Sequence, residues 1–280
     1  MSGSLDRSSA ATEDRSRLLE LLADPEIRIV SLTVTEKAYG LDPATGRLDR
    51  RHPAIAADLD EPAAPTSVTG FLVEGLARRR SAGLSPFTVL CCDNLPNNGR
   101  IVRRLVLDMA ETRDPALAAW IADNGAFPST MVDRIVPAAT EETRQRASDW
   151  LGVEDRLAID TEPFVQWVIE DHFVSGRPAW EAGGALFVND VAPYEKMKLR
   201  LLNGAHSMIA YLGQLTGHDY VRDVMAVPEY VERARQHMRA AARTLDPVPE
   251  VDLTTYQDQL VDRFSNPTIA HATRQIAMDG

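Results

Sequence analysis

The chain has 280 residues, 44% of them hydrophobic and 25% charged, a globular mixture long enough for two domains or one large one. Thirty Lys and Arg against 41 Asp and Glu leave a net charge of −11, which argues against a non-specific nucleic-acid or anionic-membrane binder. The two cysteines, Cys91 and Cys92, are adjacent and cannot form an ordinary bridge, so no disulfide framework is expected.

Residues 1–17 are rich in Ser, Asp and Arg and read as a disordered tail without the apolar stretch of a secretory signal. No apolar run reaches membrane-spanning length, and a cytoplasmic protein is expected. Leu18 to Leu22 reads as a helix stopped by Asp24-Pro25. Ile27 to Val34 is short and β-branched, the pattern of a buried strand. Tyr39 to Pro65, rich in Pro, Gly, Asp and Ala, reads as a long loop.

Ser67 to Arg80 carries apolar Val68, Phe71, Leu72 and Leu76 at helical spacing. Phe87 to Cys92 reads as a second buried strand, followed by a helix over Asn98 to Thr112. This alternation predicts a parallel sheet with crossover helices. After about Ser148 the pattern changes. Short strands are expected over Phe164–Glu170 and Ala185–Val188, then helices over Pro193–Gly213, Pro228–Thr244 and Val251–Phe264.

Three stretches carry chemistry. Within Pro193 to His206, Lys198, Asn203 and His206 lie at i, i+5 and i+8. On an α-helix they fall at roughly 0°, 140° and 80°, within one broad face. A buried-edge Lys can lose its proton and act as a base, and an Asn amide can donate to an oxygen gaining charge. On spacing alone, an amphipathic helix with a solvated Lys and a core His also accounts for the segment. Gly204 in the helix interior suggests that something approaches closely. Cys92-Asp93-Asn94, at the end of a strand and before a helix, occupies the place where open α/β sheets bind ligands, although Asn, Pro and Gly there also suit a turn. Asp133, between apolar residues and before Arg134, reads from sequence as a structural ion-pair partner.

Several chemistries find no pattern. Glu170-Asp171-His172 are consecutive and cannot converge on a metal from one strand, and no HExxH, CxxC or G-x-S-x-G occurs. No metal site is expected. None of the 16 glycines has another two positions away, so the chain holds no G-x-G phosphate-binding turn.

Taken together, Ile29-Val-Ser-Leu-Thr-Val-Thr-Glu-Lys37, Cys92-Asp-Asn94, Ser129 to Val136, Glu162 to Asp171, Gly176-Arg-Pro178, Lys196 to Asn203, Gly204-Ala-His206 and Arg263-Phe-Ser-Asn-Pro267 resemble the polyol-specific long-chain dehydrogenases, the family of mannitol 2-dehydrogenase and fructuronate reductase. The Lys-x4-Asn-x2-His core, with Asp-Asn and Val-Asp-Arg upstream in order, is the specific part. The resemblance covers about Asp24 to Gly280.

It implies an α/β plus α fold, with a partial Rossmann-like parallel sheet followed by a mostly helical substrate and catalytic domain. The implied division is a partial nucleotide-binding domain over 18–150 without its Gly-rich start, and a helical catalytic domain over 151–280 that stops before the family's last helices. By resemblance the chain is an internal piece of a zinc-independent NAD- or NADP-dependent oxidoreductase. Such an enzyme interconverts an acyclic polyol or aldonate with its ketose, as D-mannonate with fructuronate or D-mannitol with fructose.

The resemblance makes Lys198 the proton-transfer group, Asn94 and Asn203 the pair holding the reacting oxygen, His206 a substrate contact and Asp133 a substrate-binding carboxylate. It places Thr35 and Glu36 beside the cofactor. Arg263 and Arg274 are the candidate cations for a hexuronate carboxylate. The alternative is a non-catalytic remnant that does not bind cofactor. Small sugar-derived substrates are the expected partners, and association through exposed apolar surface is expected if the absent segments would have covered it.

Overall fold

The computed structural model describes residues 14–279. In chain order the elements are α1 (Arg15–Ala23), β1 (Ile29–Leu32), a 3-10 turn (Glu36–Tyr39), β2 (Leu41–Asp42), β3 (Arg47–Leu48), α2 (Pro53–Asp60), α3 (Val68–Ser81), β4 (Thr88–Cys91), α4 (Asn98–Arg113), α5 (Pro115–Asn124), β5 (Thr130–Asp133) and α6 (Glu141–Leu151). They continue with β6 (Gln166–Glu170), a 3-10 turn (Trp180–Gly183), β7 (Leu186–Val188), α7 (Ala192–Met197), a π-helical turn (Lys198–Asn203), α8 (Gly204–Thr216), α9 (Val221–Met225), α10 (Pro228–Ala242), α11 (Leu253–Phe264) and α12 (Thr273–Asp279). The chain forms two compact units. Unit 1 runs to Val132 and regains Trp167–Val191; unit 2 is Asp133–Gln166 with Ala192–Gly280.

In unit 1, β1 and β4 pair in parallel, Ile29 opposite Thr88 and Leu32 opposite Cys91. A parallel pair needs a long crossover, which α2 and α3 supply. Every residue of β4 is buried, as its unbroken apolar pattern predicts. The core joins Leu19 and Leu22 of α1, Leu72 and Leu76 of α3, Val89 of β4, Leu105 and Val106 of α4, and Ile121 of α5. Arg79 is buried among these elements and donates to the carbonyls of Leu22, Asp24, Ile27 and Ser85, collecting the chain ends around β1. In a further sheet β6 lies between β5 and β7, and β6 and β7 run parallel.

Three expectations change. Arg15–Arg17 belong to α1, capped by the Asp14 carboxylate accepting from the Arg17 N–H, rather than to a disordered tail; residues 1–13 lie outside the described residues. The segment 39–65 is not one long loop. It holds the β2–β3 hairpin, turned by Asp42 accepting from Ala44 and Thr45, and then α2 with Pro53 in its first turn. Two-residue strands are too short to show a period, and buried Asp58 fixes the following bend by accepting from Thr66 and Ser67. The units also divide at Val132 rather than near residue 150, because 167–191 returns to unit 1, where β6 lies beside β5 and the Val174 N–H donates to the Thr88 hydroxyl.

Unit 2 is helical around Tyr194, Met197, Leu201, Ala205, Ile209, Val224, Met238 and Leu260. Its α8 packs against α9, α10 and α12. At Gly204 a Cβ would sit 3.2 Å from His237 Nε2 of α10, which is the close approach that the glycine suggested. Unit 2 also displays large apolar side chains, Trp150 at 80% exposure, Leu157 at 84% and Leu215 at 84%.

Candidate active site

The helix carrying Lys198 is not α-helical throughout. Between α7 and α8, residues Lys198 to Asn203 form a π-helical turn. Such a turn closes i to i+5 hydrogen bonds at roughly 4.4 residues per turn and is frequent at functional sites. Lys198 and Asn203 are five apart. The wider turn brings them within about 50° of each other, against about 140° on an α-helix. The apolar pattern supports it. Met197, Leu201, Ala205 and Ile209 are buried at intervals of four, and an α-helix drifts about 40° per such step while a π turn drifts the other way. One side of the helix therefore stays in the core across the whole segment.

Lys198 is half-buried and Asn203 is exposed. Burial pushes the Lys198 ammonium below its ordinary value; Asp133 pulls it back up, Arg263 pushes it further down, and Glu195 pulls it up. A Lys in this setting reaches its neutral form more readily than one in water.

His206 lies on α8, 8% exposed, and its Nε2 has no hydrogen-bond partner. Its ring stacks on Phe264, with centroids 5.1 Å apart, and meets His271 edge-on at 4.7 Å. Burial, helped by His271 and Arg263, pushes the imidazole down to about 3, so the ring is neutral over the physiological range. His206 lines a cavity of about 10 Å³ with Ile135, Arg263, Asn266 and His271, space for about one water-sized group. A buried, neutral ring nitrogen without a partner is costly unless a ligand hydroxyl completes it.

Asp133 is 3% exposed, and its position follows from an ion cluster. Arg263 Nη1 and Nη2 donate to its two oxygens at 2.9 and 2.8 Å, and the Tyr256 hydroxyl donates at 3.4 Å. Arg263 also donates to both oxygens of Glu162, at 2.9 and 2.7 Å, and lies 3.9 Å from the centre of the Phe164 ring. Glu162 in turn accepts from the Ile135 N–H at 2.6 Å. Arg263 is thus engaged by two carboxylates, and Arg274 of α12 is exposed. The sequence singled out Asp133 and Arg263. It missed Glu162, Tyr256, Phe164 and His271; Glu162 and Phe164 lay within the resembling run Glu162 to Asp171, and Tyr256 and His271 lay in none of the resembling runs.

In unit 1 the parallel register places the ends of β1 and β4 at one sheet edge. Thr35 follows β1 and is exposed, Glu36 begins the 3-10 turn, and Asn94 follows β4 and is exposed. Asp93 ties these segments together: its carboxylate accepts from the Val34 N–H at 3.2 Å and from the buried Tyr39 hydroxyl. Asn98 donates to the Asp93 carbonyl at 3.0 Å, closing the same turn. This edge is where open α/β sheets receive ligands. Among the described residues no group of three or more His, Cys, Asp or Glu is arranged to hold a metal ion.

Unit 1 thus offers a parallel strand pair at a sheet edge of the kind that receives ligands, and unit 2 a helix that carries half-buried Lys198, exposed Asn203 and buried His206. The comparisons identify the family. Residues 4–182 match the mannitol dehydrogenase Rossmann domain, and residues 190–280 match the mannitol dehydrogenase C-terminal domain. The chain belongs to the mannitol dehydrogenase family. It is 53% identical to D-mannonate oxidoreductase of Escherichia coli over 264 residues, 94% of this chain and 54% of that enzyme. It is 44% identical to mannitol 2-dehydrogenase of Aspergillus terreus over 284 residues, 99% of this chain and 56% of that one. Among solved structures, mannitol 2-dehydrogenase of Pseudomonas fluorescens, in ternary complex with NAD and D-mannitol, superposes with a TM-score of 0.87 at 44% identity, over 95% of this chain and 54% of that one. The chain spans about half the length of these relatives.

Proposed function

We propose that this chain carries the substrate-side chemistry of an NAD- or NADP-dependent oxidoreductase that interconverts a secondary alcohol of an acyclic polyol or aldonate with its ketose. The observation that carries this reading is the π turn, which sets Lys198 and Asn203 on one helix face ahead of the unpartnered His206 Nε2. Lys198 takes the hydroxyl proton during oxidation and returns it to the ketone oxygen during reduction. The Asn203 amide donates to that oxygen as its charge grows, and Asn94 is proposed for the same task. His206, neutral and buried, holds a substrate hydroxyl, and Asp133, anchored by Arg263, receives another.

The nicotinamide supplies the hydride acceptor. Thr35, Glu36 and Asn94, brought to one sheet edge by the β1–β4 register, suit that end of the cofactor. Of the two substrate pairs, D-mannonate with fructuronate is favoured by Ser129 to Thr140 and by the D-mannonate oxidoreductase relative. Because Arg263 is already engaged by Asp133 and Glu162, it is not proposed as the reader of a hexuronate carboxylate.

A dinucleotide gains much of its affinity where backbone N–H groups meet its pyrophosphate across a glycine turn. The chain has no G-x-G. Calorimetric titration of the 280-residue chain is therefore expected to give dissociation constants for NAD and NADP of about a millimolar or weaker. Micromolar binding would reveal a phosphate site built another way. Placing this chain in the matching region of E. coli D-mannonate oxidoreductase tests the function itself. Turnover of D-mannonate above D-mannitol supports the reading; a folded, cofactor-binding chimera without turnover favours a non-catalytic piece.

A further inference from the structure

The β1–β4 ladder stops short of the groups proposed to meet the nicotinamide and the reacting oxygen. Its last rung is the Cys92 N–H donating to the Leu32 carbonyl at 2.8 Å. Thr35 and Glu36 lie three and four residues beyond Leu32, and Asn94 lies two beyond Cys92. Segments past the end of a ladder lose their backbone partners and open at little cost. Donors to an oxygen that gains charge work only when they are already in place. Something other than the ladder must therefore hold this edge.

Asp93 spans the gap with one oxygen. Its Oδ2 accepts from the Val34 N–H at 3.2 Å, one residue before Thr35, and from the hydroxyl of Tyr39, which closes the 3-10 turn that Glu36 opens. Tyr39 is fully buried; its hydroxyl also lies 3.2 Å from the Cys91 Sγ, and its carbonyl accepts from the Thr69 hydroxyl of α3 at 2.9 Å. Burial, then the contacts to Asp93 and Cys91, push the phenol above its ordinary value, so it stays a donor at working pH. On the other side of the turn, the Asp93 carbonyl accepts from the Leu95 N–H at 2.8 Å and from fully buried Asn98, whose amide also reaches the Thr130 carbonyl of β5 at 2.9 Å. The residue before Asn94 is thus tied to the end of β1, to the 3-10 turn and, through Asn98, to β5.

We infer that Asp93 and Tyr39 are positioning residues for this edge: their bond across the ends of β1 and β4 sets the Asn94 turn against Thr35 and Glu36, so that the oxygen donor and the nicotinamide contacts are in place before a ligand arrives. The bonds from Val34 and Tyr39 both end on Oδ2, so the task needs an acceptor at residue 93 and not its charge. Asparagine supplies that acceptor and alanine does not. The inference rests on the reading of Asn94, Thr35 and Glu36 as site residues, but its test needs neither cofactor nor turnover.

Backbone ¹⁵N relaxation and amide exchange of the 280-residue chain read it directly. In the parent, Thr35, Glu36 and Asn94 are expected to be rigid, with order parameters of about 0.85, although Thr35 and Asn94 are exposed. Asp93→Ala is expected to lower these values to about 0.6 and to speed exchange of the Val34 amide by about tenfold, while Val89 of β4 stays as in the parent. Tyr39→Phe keeps the buried ring and removes the hydroxyl. It is expected to loosen the same three residues, and it serves alone should Asp93→Ala fail to fold. Asp93→Asn is expected to keep the parent values. Unchanged order at Thr35 and Asn94 in the folded variants would overturn the inference. So would loosening that reaches Val89 equally, or an Asp93→Asn chain as loose as Asp93→Ala. Whether Asn94 holds the reacting oxygen is judged separately, by turnover of the chimera carrying Asn94→Ala.

Discussion

Replacing Lys198 by alanine is expected to lower turnover of the chimera with D-mannonate oxidoreductase by roughly 10²-fold or more. The reasoning is chemical. Oxidation of an alcohol requires its proton to leave as the hydride departs, and Lys198 is a half-buried amine whose proton affinity is reduced by burial. KM should change far less than kcat, because a proton-transfer group acts mainly in the transition state. A small primary amine in solution should restore part of the rate. Asn203→Ala should cost on the order of 10²-fold through the oxygen it no longer donates to. If the Lys198→Ala chimera turned over at the parent rate, the amine would be a structural group and the assignment would fall.

The second large effect concerns stability. Arg263→Met leaves Asp133 and Glu162 facing each other in the interior, where Arg263 had made four hydrogen bonds to their oxygens. Breaking one partner out of a buried ion cluster costs about 3–5 kcal/mol. Urea unfolding of the chain should show that loss. The triple replacement Asp133→Asn, Glu162→Gln and Arg263→Met should recover much of it, since no charge is then stranded. A single Arg263→Met variant within about 1 kcal/mol of the parent would show that the cluster is solvated in solution.

Much of unit 1 was legible because its signals are local. The β-branched run at Ile29, the apolar run at Val89 and the helical spacing of Phe71, Leu72 and Leu76 each decide an element within a few residues. The hairpin at Leu41 to Leu48 was not legible, since two-residue strands have no period to read. In unit 2 the order Lys198, Asn203, His206 stood out by type and spacing, and the resemblance supplied roles. What the spacing could not show is the π turn. A helical wheel assumes a constant rise and turn, and only packing against α8 and α10 sets which turn the backbone takes. The partner of Asp133 was hidden for a different reason. Arg263 is 130 residues away in sequence, and a charge pair at that separation leaves no local pattern. Sequence marked both residues, and the fold joins them directly, with Glu162 as a second carboxylate on the same guanidinium.

The pH dependence of kcat/KM for D-mannonate oxidation in the chimera tests the role of Lys198 most directly. The parent is expected to lose activity as one proton is added, with a midpoint below the ordinary lysine value, because burial lowers the Lys198 proton affinity and only the neutral amine can accept the substrate proton. In Lys198→Ala that limb should vanish, leaving a low rate without it. A limb that persists unchanged in Lys198→Ala would contradict the assignment and place the proton chemistry on another group.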